Sequence, residues 1–485
     1  MRVGCIAAAL VVLGVARPVV VYAQDGFGGA QDVGLARQLV QLGEVPRPEQ
    51  FSVDGMLREH DFPVRKDRCA EDFCVLATAG RGVDRATGRR SGYVFLEPVS
   101  GIDPERYERP PLNLAIVLDH SGSMDGWKLE SARRAVDAIV DRLGPRDRLA
   151  VVVFDDRAQV LRRASPVVER ASLHALASAI GPGGSTNMEA GLAYGFEEVA
   201  RGAGAPGTID RVLLLTDALP NVGNTDAGSF LELAGRYAER GIGLGVFGVG
   251  LDFDQGLVRT VTQLPGGTAH TLTDAAAMQR LFGSDFGWIM TAVATDLVLE
   301  VDPGPDWRVA QVHGVPAERV VPLGPGGVVI RAGTVMLDGR RSGAVLRLEP
   351  ANDDARTLDV QVRWSYRDRR GDPAGQRVTR VHWTPRFPDA IAEFEGVAQY
   401  RAYALVNLAQ SLCGALALWH AGDRATAVRM RSDARDGIVA DTGILRDREL
   451  AAEAALSDRL LGTMRQWMRA AAAPAVPGSV IASGS

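Results

Sequence analysis

A short buried strand that ends in a carboxylate and two hydroxyls limits what this chain can fold into. In Asn113–Met124, NLAIVLDHSGSM, the apolar run Leu114–Leu118 reads as a strand covered on both faces, as in a parallel sheet. The run stops at Asp119, and Ser121 and Ser123 follow at alternate positions around Gly122. Open α/β sheets place their sites outside the carboxyl ends of the strands. Hard oxygen donors clustered there suit Mg²⁺ or Mn²⁺. Leu129, Ala132, Val136, Ile139, Val140 and Leu143 then recur at helical spacing, so the unit is strand, oxygen-rich loop, helix.

Two later stretches bring further oxygens to the same sheet edge. Gly183-Gly184-Ser185-Thr186-Asn187 is a glycine-rich loop that opens the helix expected over Met188–Ala200 and offers the Thr186 hydroxyl. Val212–Leu215 is a second buried strand that ends in Thr216-Asp217 and runs on to Pro220-Asn221. With these three loops in this order, residues of about 110 to 290 resemble a von Willebrand factor type A domain, of the type carried by secreted or periplasmic bacterial proteins. Asp119, Ser121, Ser123, Thr186 and Asp217 match the metal-ion-dependent adhesion site of that family position for position. One departure is Ala218, where the family usually has Gly. Ala tolerates a positive φ poorly, so a differently shaped loop is expected there. The resemblance implies a bound Mg²⁺, or Mn²⁺ or Ca²⁺, with one coordination position left open. An Asp or Glu of a protein partner would fill that position. Ser121 and Ser123 would bind the ion directly, and Thr186, Asp119 and Asp217 directly or through water.

The rest of the central region alternates as βαβα units, which implies a mainly parallel, doubly wound sheet with helices on both faces. Its strands are expected at Leu149–Phe154, Gly243–Gly250 and Gly267–Leu272, with a short edge strand at Gln159–Arg162. After about Ala294 the pattern changes to short β-branched runs separated by Gly, Pro and Asp turns, an all-β sandwich-like domain. Cys74–Ala79 and Tyr93–Pro98 read as a hairpin with no sheet of its own. The layout of bacterial relatives implies that this hairpin joins the later β-domain and that the central domain is an insertion. From Pro388 the chain reads as helical. The expected segments are therefore 1–23, 24–110, 111–290, 291–387, 388–470 and 471–485. They are a signal peptide, a flexible lead-in with the hairpin, the metal-site domain, the β-domain, a helical region and a disordered tail.

Arg2, the apolar run Gly4–Ala16 and the small residues of Val21-Tyr22-Ala23 carry the signal-peptide reading, and with it a secreted or periplasmic location. A net charge of −5 argues against a nucleic-acid binder. No later stretch reads as a membrane span. Cys69 and Cys74 read as a small disulfide loop, with two thiols or a metal half-site as alternatives, and Cys413 as a buried thiol in an apolar helix. His120, lying between the ligands, reads as pointing away from them, and Asp155-Asp156 as solvent-facing. Arg370-Gly371-Asp372 reads as turn chemistry. No G-x-S-x-G, H-E-x-x-H or P-loop occurs, so an enzyme is not expected. The expected function is metal-dependent binding of a protein partner. The alternative is an envelope scaffold whose metal site only stabilises, with binding through the C-terminal helices.

Overall fold

The computed structural model describes residues 22–24, 33–60, 62, 69–103, 106–217, 222, 227–250, 261, 264, 266–272, 278–338, 343–387 and 390–472. The positions before Tyr22, which include most of the expected signal peptide, Ala218, Pro220-Asn221 and the tail beyond Ala472 lie outside these residues.

The central sheet holds β4 (Leu112–Asp119), β5 (Arg148–Phe154), β6 (Ala158–Pro166), β7 (Ile209–Thr216), β8 (Gly243–Val249) and β9 (Thr268–Leu272). Their order is β6-β5-β4-β7-β8-β9, all parallel except β6, which runs antiparallel along one edge. That edge strand is longer than the expected Gln159–Arg162, because it pairs along the whole of β5. Leu114, Ile116 and Leu118 face α3 (Trp127–Arg142) and α4 (Arg170–Ala179). Ala115 and Val117 face α5 (Met188–Ala200) and α6 (Ala227–Ala238). Both faces are covered, which is why these strands are apolar throughout. The register sets Asp119 opposite Phe154 on one side and Leu118 opposite Leu215 on the other, so the ends of β4, β5 and β7 lie together.

At the other end of β4 a buried carboxylate fixes the chain's entrance. Asp147 accepts from both terminal nitrogens of Arg109, from the Leu112 N–H and from the Gly144 N–H. Burial pushes its carboxyl up, but these bonds outweigh burial and hold it below the ordinary carboxylate value. A depressed folded pKa contributes stability that is present above the unfolded value, about 3.9, and is lost as pH falls through the folded value. We expect wild type to exceed Asp147→Asn in chemical unfolding at neutral pH, with the gap closing below about pH 4. A gap that widens on acidification would contradict this.

Below the central sheet stand two antiparallel sheets. One has the order β1-β13-β10-β15-β16 with β12 on β13, the other β11-β14-β3-β2-β17. Their strands are β1 (Tyr22–Gln24), β2 (Cys74–Asp84), β3 (Arg89–Val99), β10 (Ala292–Asp302), β11 (Trp307–His313) and β12 (Val320–Leu323). They continue with β13 (Gly327–Asp338), β14 (Ala344–Pro350), β15 (Leu358–Arg367), β16 (Pro373–Trp383) and β17 (Glu393–Phe394). Val75, Val94 and Leu96 of one sheet share a core with Leu299, Ile330 and Val360 of the other. The hairpin β2–β3 finds its partner in β14, with Ala344–Leu348 against Leu96–Gly92. The chain thus leaves this layer after β3 and returns to it at β10. β1 straddles the cleavage point expected after Ala23 and pairs with Met336–Asp338. Cys69 and Cys74 form a disulfide. Gly371 takes a φ of +82° and Asp368 caps the same turn, so Arg370-Gly371-Asp372 is turn chemistry.

The outer face of the second sheet, through Tyr93, Phe95 and Val345, packs on helices. These are α1 (Val33–Gln41), α2 (Val53–Glu59), α7 (Val397–His420), α8 (Arg424–Leu445) and α9 (Arg448–Ala472). Two expectations need correction. The lead-in is not wholly flexible: Val33, Ala36 and Val40 bury one face of α1, and Arg37 joins Glu59 and Glu453. The helical region does not begin at Pro388, because β17 intervenes and Gly396 precedes the first helical residue. In addition, α7 is long and apolar enough to cross a membrane, although no such stretch was read from the sequence. Most of its apolar window, 72%, is buried inside the protein, and its Arg401 pairs with Asp447 and Glu449. Cys413 in the same helix is half-buried.

Candidate metal centre

Three loops meet at the carboxyl ends of β4, β5 and β7, and the backbone laces them together. The Gly183 N–H donates to the His120 carbonyl at 2.6 Å, and the Gly122 N–H to the Gly184 carbonyl at 2.8 Å. Beyond β7, the Val222 N–H donates to the Thr186 carbonyl at 3.2 Å.

Asp119 is wholly buried. Its Oδ1 accepts from the Ser121 N–H at 2.9 Å and its Oδ2 from the Thr216 hydroxyl at 2.6 Å. Burial raises its pKa, the Thr216 and Ser121 bonds oppose that rise, and the charge of Asp217 adds to it. Ser121 Oγ and Ser123 Oγ are 3.2 Å apart, and Ser123 Oγ donates to Asp217 Oδ1 at 2.8 Å. Thr186 is buried beside the loop that the glycines form. Cis ligands of an octahedral Mg²⁺ with ordinary bond lengths stand about 3 Å apart. The spacing of Ser121, Ser123 and Asp217 therefore fits adjacent corners of such a shell. Two carboxylates and three hydroxyls are also the donor chemistry that a hard dication takes.

Asp156 is exposed and Asp155 partly so, in line with the sequence reading, and both carboxylates also bond the glycine-rich loop. Asp155 Oδ2 accepts from the Gly184 N–H and Asp156 Oδ1 from the Ser185 N–H. A Cβ on Gly183 would stand 2.9 Å from that of Asp155, and one on Gly184 2.2 Å from Asp156 Oδ2. At Gly183 the clash reaches the Asp155 Cβ, so glycine permits this close approach, whereas at Gly184 it meets only the movable end of the Asp156 side chain. His120 turns toward Gly181 and Asp155 instead of the candidate donors, and its Nδ1 donates to the Gly181 carbonyl.

Two further residues were missed from sequence. Thr216 orients Asp119, as above. Lys128, in the first turn of α3, places its Nζ 2.5 Å from Asp217 Oδ2. Neither has a sequence signal, since a strand-end threonine and a first-turn lysine are common. Trp127 beside it is 49% exposed.

Residues 113–284 match the sequence model of the von Willebrand factor type A domain. Over 207 residues the chain is 28% identical to the Synechocystis protein sll0103, covering 43% of this chain and 48% of that one. It is 26% identical to Escherichia coli YfbK over 42% of this chain and 36% of the other. The human inter-alpha-trypsin inhibitor heavy chain H4 is 27% identical over 39% of this chain and 22% of its own length. The chain thus spans less than half the length of these relatives. A von Willebrand factor type A structure from Catenulispora acidiphila shares the fold, with a TM-score of 0.51 and 20% identity over 77% of this chain and 87% of that one. That coverage reaches beyond the central domain.

Proposed function

The central domain is a von Willebrand factor type A domain, and from that premise we propose that the protein is an exported, metal-dependent binder of a protein partner. Asp119, Ser121, Ser123, Thr186 and Asp217 would hold a divalent cation, Mg²⁺ or alternatively Mn²⁺ or Ca²⁺. The observation that carries this reading is the 2.8 and 3.2 Å spacing of the Ser121, Ser123 and Asp217 oxygens. Neutral serine hydroxyls quench little of the ion's charge. Bound there, the ion supplies an electrophilic position open to a carboxylate from an Asp or Glu of the partner. Trp127, exposed and next to Lys128 in sequence, offers that partner an aromatic side chain of the type that anchors many interfaces. The β-layer joins the domain at the opposite pole of the sheet. Tyr107 bonds Thr291 and stacks on Trp288 there. β4 has eight residues, so the site stands about 25 Å from that junction, facing away from it. A binding site held clear of its support suits a partner larger than a metabolite. We assign it no catalytic role. Arg2 and the apolar run Gly4–Ala16, of the kind found in export signals, support a periplasmic or extracellular location in this reading.

The ion pair of Lys128 with Asp217 favours a second reading. Here Asp217 is already neutralised, the domain is a scaffold, and the C-terminal helices bind. Titration of MgCl₂ and MnCl₂ against the chelator-treated protein separates the two. Saturable binding at micromolar to millimolar ion supports the first. No binding of either ion would leave the scaffold reading in its place.

A further inference from the structure

We propose that Lys128 is the resident counter-ion of this centre. It neutralises Asp217 while no divalent ion is bound and has to leave that carboxylate when one enters. The inference rests on the metal-site reading above and goes beyond it, because it assigns a residue outside the ligand set.

Both oxygens of Asp217 are engaged, Oδ1 by Ser123 and Oδ2 by the Lys128 ammonium at 2.5 Å. The Asp217 side chain is 1% exposed and that of Lys128 21%. A buried anion is thus met by a cation with a route to solvent. The path of the lysine is built into the fold. Gly250, just beyond β8, has a φ of +102°, and a Cβ there would stand 3.3 Å from Lys128 Cε. The methylene stem runs past backbone bare of a side chain. Nor does the helix favour this placement. Lys128 lies in the first turn of α3, where the macrodipole disfavours a positive charge. The attraction that holds it comes from Asp217.

A divalent ion that uses Asp217, directly or through water, would share one carboxylate with the ammonium. The two positive charges repel strongly in a partly buried site. Loading is then an exchange in which the flexible four-carbon stem carries the ammonium outward. Lys128 keeps the loops in place without an ion and weakens the site's affinity for one.

The test is calorimetric titration of MgCl₂ and MnCl₂ into wild type, Lys128→Met and Lys128→Gln, with melts in chelator and in saturating ion. Both variants should bind the ion about tenfold more tightly or better, a difference of about 1.4 kcal/mol. They should melt lower than wild type in chelator and at least as high in saturating ion. The charge-keeping Lys128→Arg should show no gain in affinity. Tighter binding by the neutral variants when wild type binds nothing supports the same conclusion. Unchanged or weaker binding by both neutral variants, with wild type binding measurably, overturns the proposal and leaves the metal site standing. Absence of binding in all the proteins overturns both. If Lys128→Met does not fold, Lys128→Gln decides alone, since it keeps a polar group against Asp217.

Discussion

Asp119→Ala should abolish the rise in melting temperature expected of the wild type in Mg²⁺ or Mn²⁺, while opposing effects act on the melt in chelator. Asp119 supplies one of the two negative charges of the donor set and is wholly buried at the end of β4. An ion that binds only the folded state stabilises it by about 2.7 kcal/mol at a hundredfold excess over its Kd. For a domain of this size that is a shift of roughly 5–10 °C. Without Asp119 the remaining charge is that of Asp217, which Lys128 already holds. The ion then has little to bind, and the shift goes. In chelator two effects oppose each other. The Ser121 N–H and the Thr216 hydroxyl lose their acceptor, at about 1–3 kcal/mol for each group left unsatisfied. Against that, the fold no longer buries a carboxylate whose pKa burial has raised. A full ion-induced shift in the variant would place the ion elsewhere and end the assignment of this site.

The candidate donor set was legible because each member follows an element that the sequence marks by itself. An apolar run stops at Asp119, a second stops at Thr216-Asp217, and glycines announce the Thr186 loop. What holds those side chains was not legible, because it depends on which loops meet. Asp155 reaches a glycine N–H 29 residues away, and Lys128 reaches a carboxylate 89 residues away. Neither pairing leaves a trace in local spacing. The same limit applies to the flanking layers. β3 alone reads as half of an orphan hairpin, and its neighbour β14 lies beyond the whole central domain. That union was expected only through resemblance. Helix α1 has nine residues, too short to declare itself in a glycine-rich stretch, and its Arg37 bonds Glu453, 416 residues on. Short helices in isolation are marginal, and packing decides them.

Gly195→Val should destabilise the protein by about 3 kcal/mol or more and shrink the ion-induced shift with it. An ideal Cβ on Gly195 would stand 2.3 Å from Val117 Cγ2 and 3.3 Å from Val212 Cγ1. One turn earlier, a Cβ on Gly191 would stand 2.5 Å from Phe154 Cδ1. Val117, Val212 and Phe154 lie on β4, β7 and β5, the strands that carry the site, and all three are fully buried. These two glycines let α5 rest directly on the sheet. Glycine in a helix interior costs about 1 kcal/mol against alanine, so close approach is a reason to keep it there. A valine has no room in front of it, and the helix has to lift. Lifting α5 moves its own start, where Asn187 caps the first turn through the Ala190 N–H and directly follows Thr186. Stability and ion binding should therefore fall together in Gly195→Val, whereas Asp119→Ala separates them. Chemical unfolding and ion titration on one preparation measure both. A Gly195→Val protein as stable as wild type would show that α5 does not lie this close to the sheet, and the packing that positions Thr186 would need another explanation.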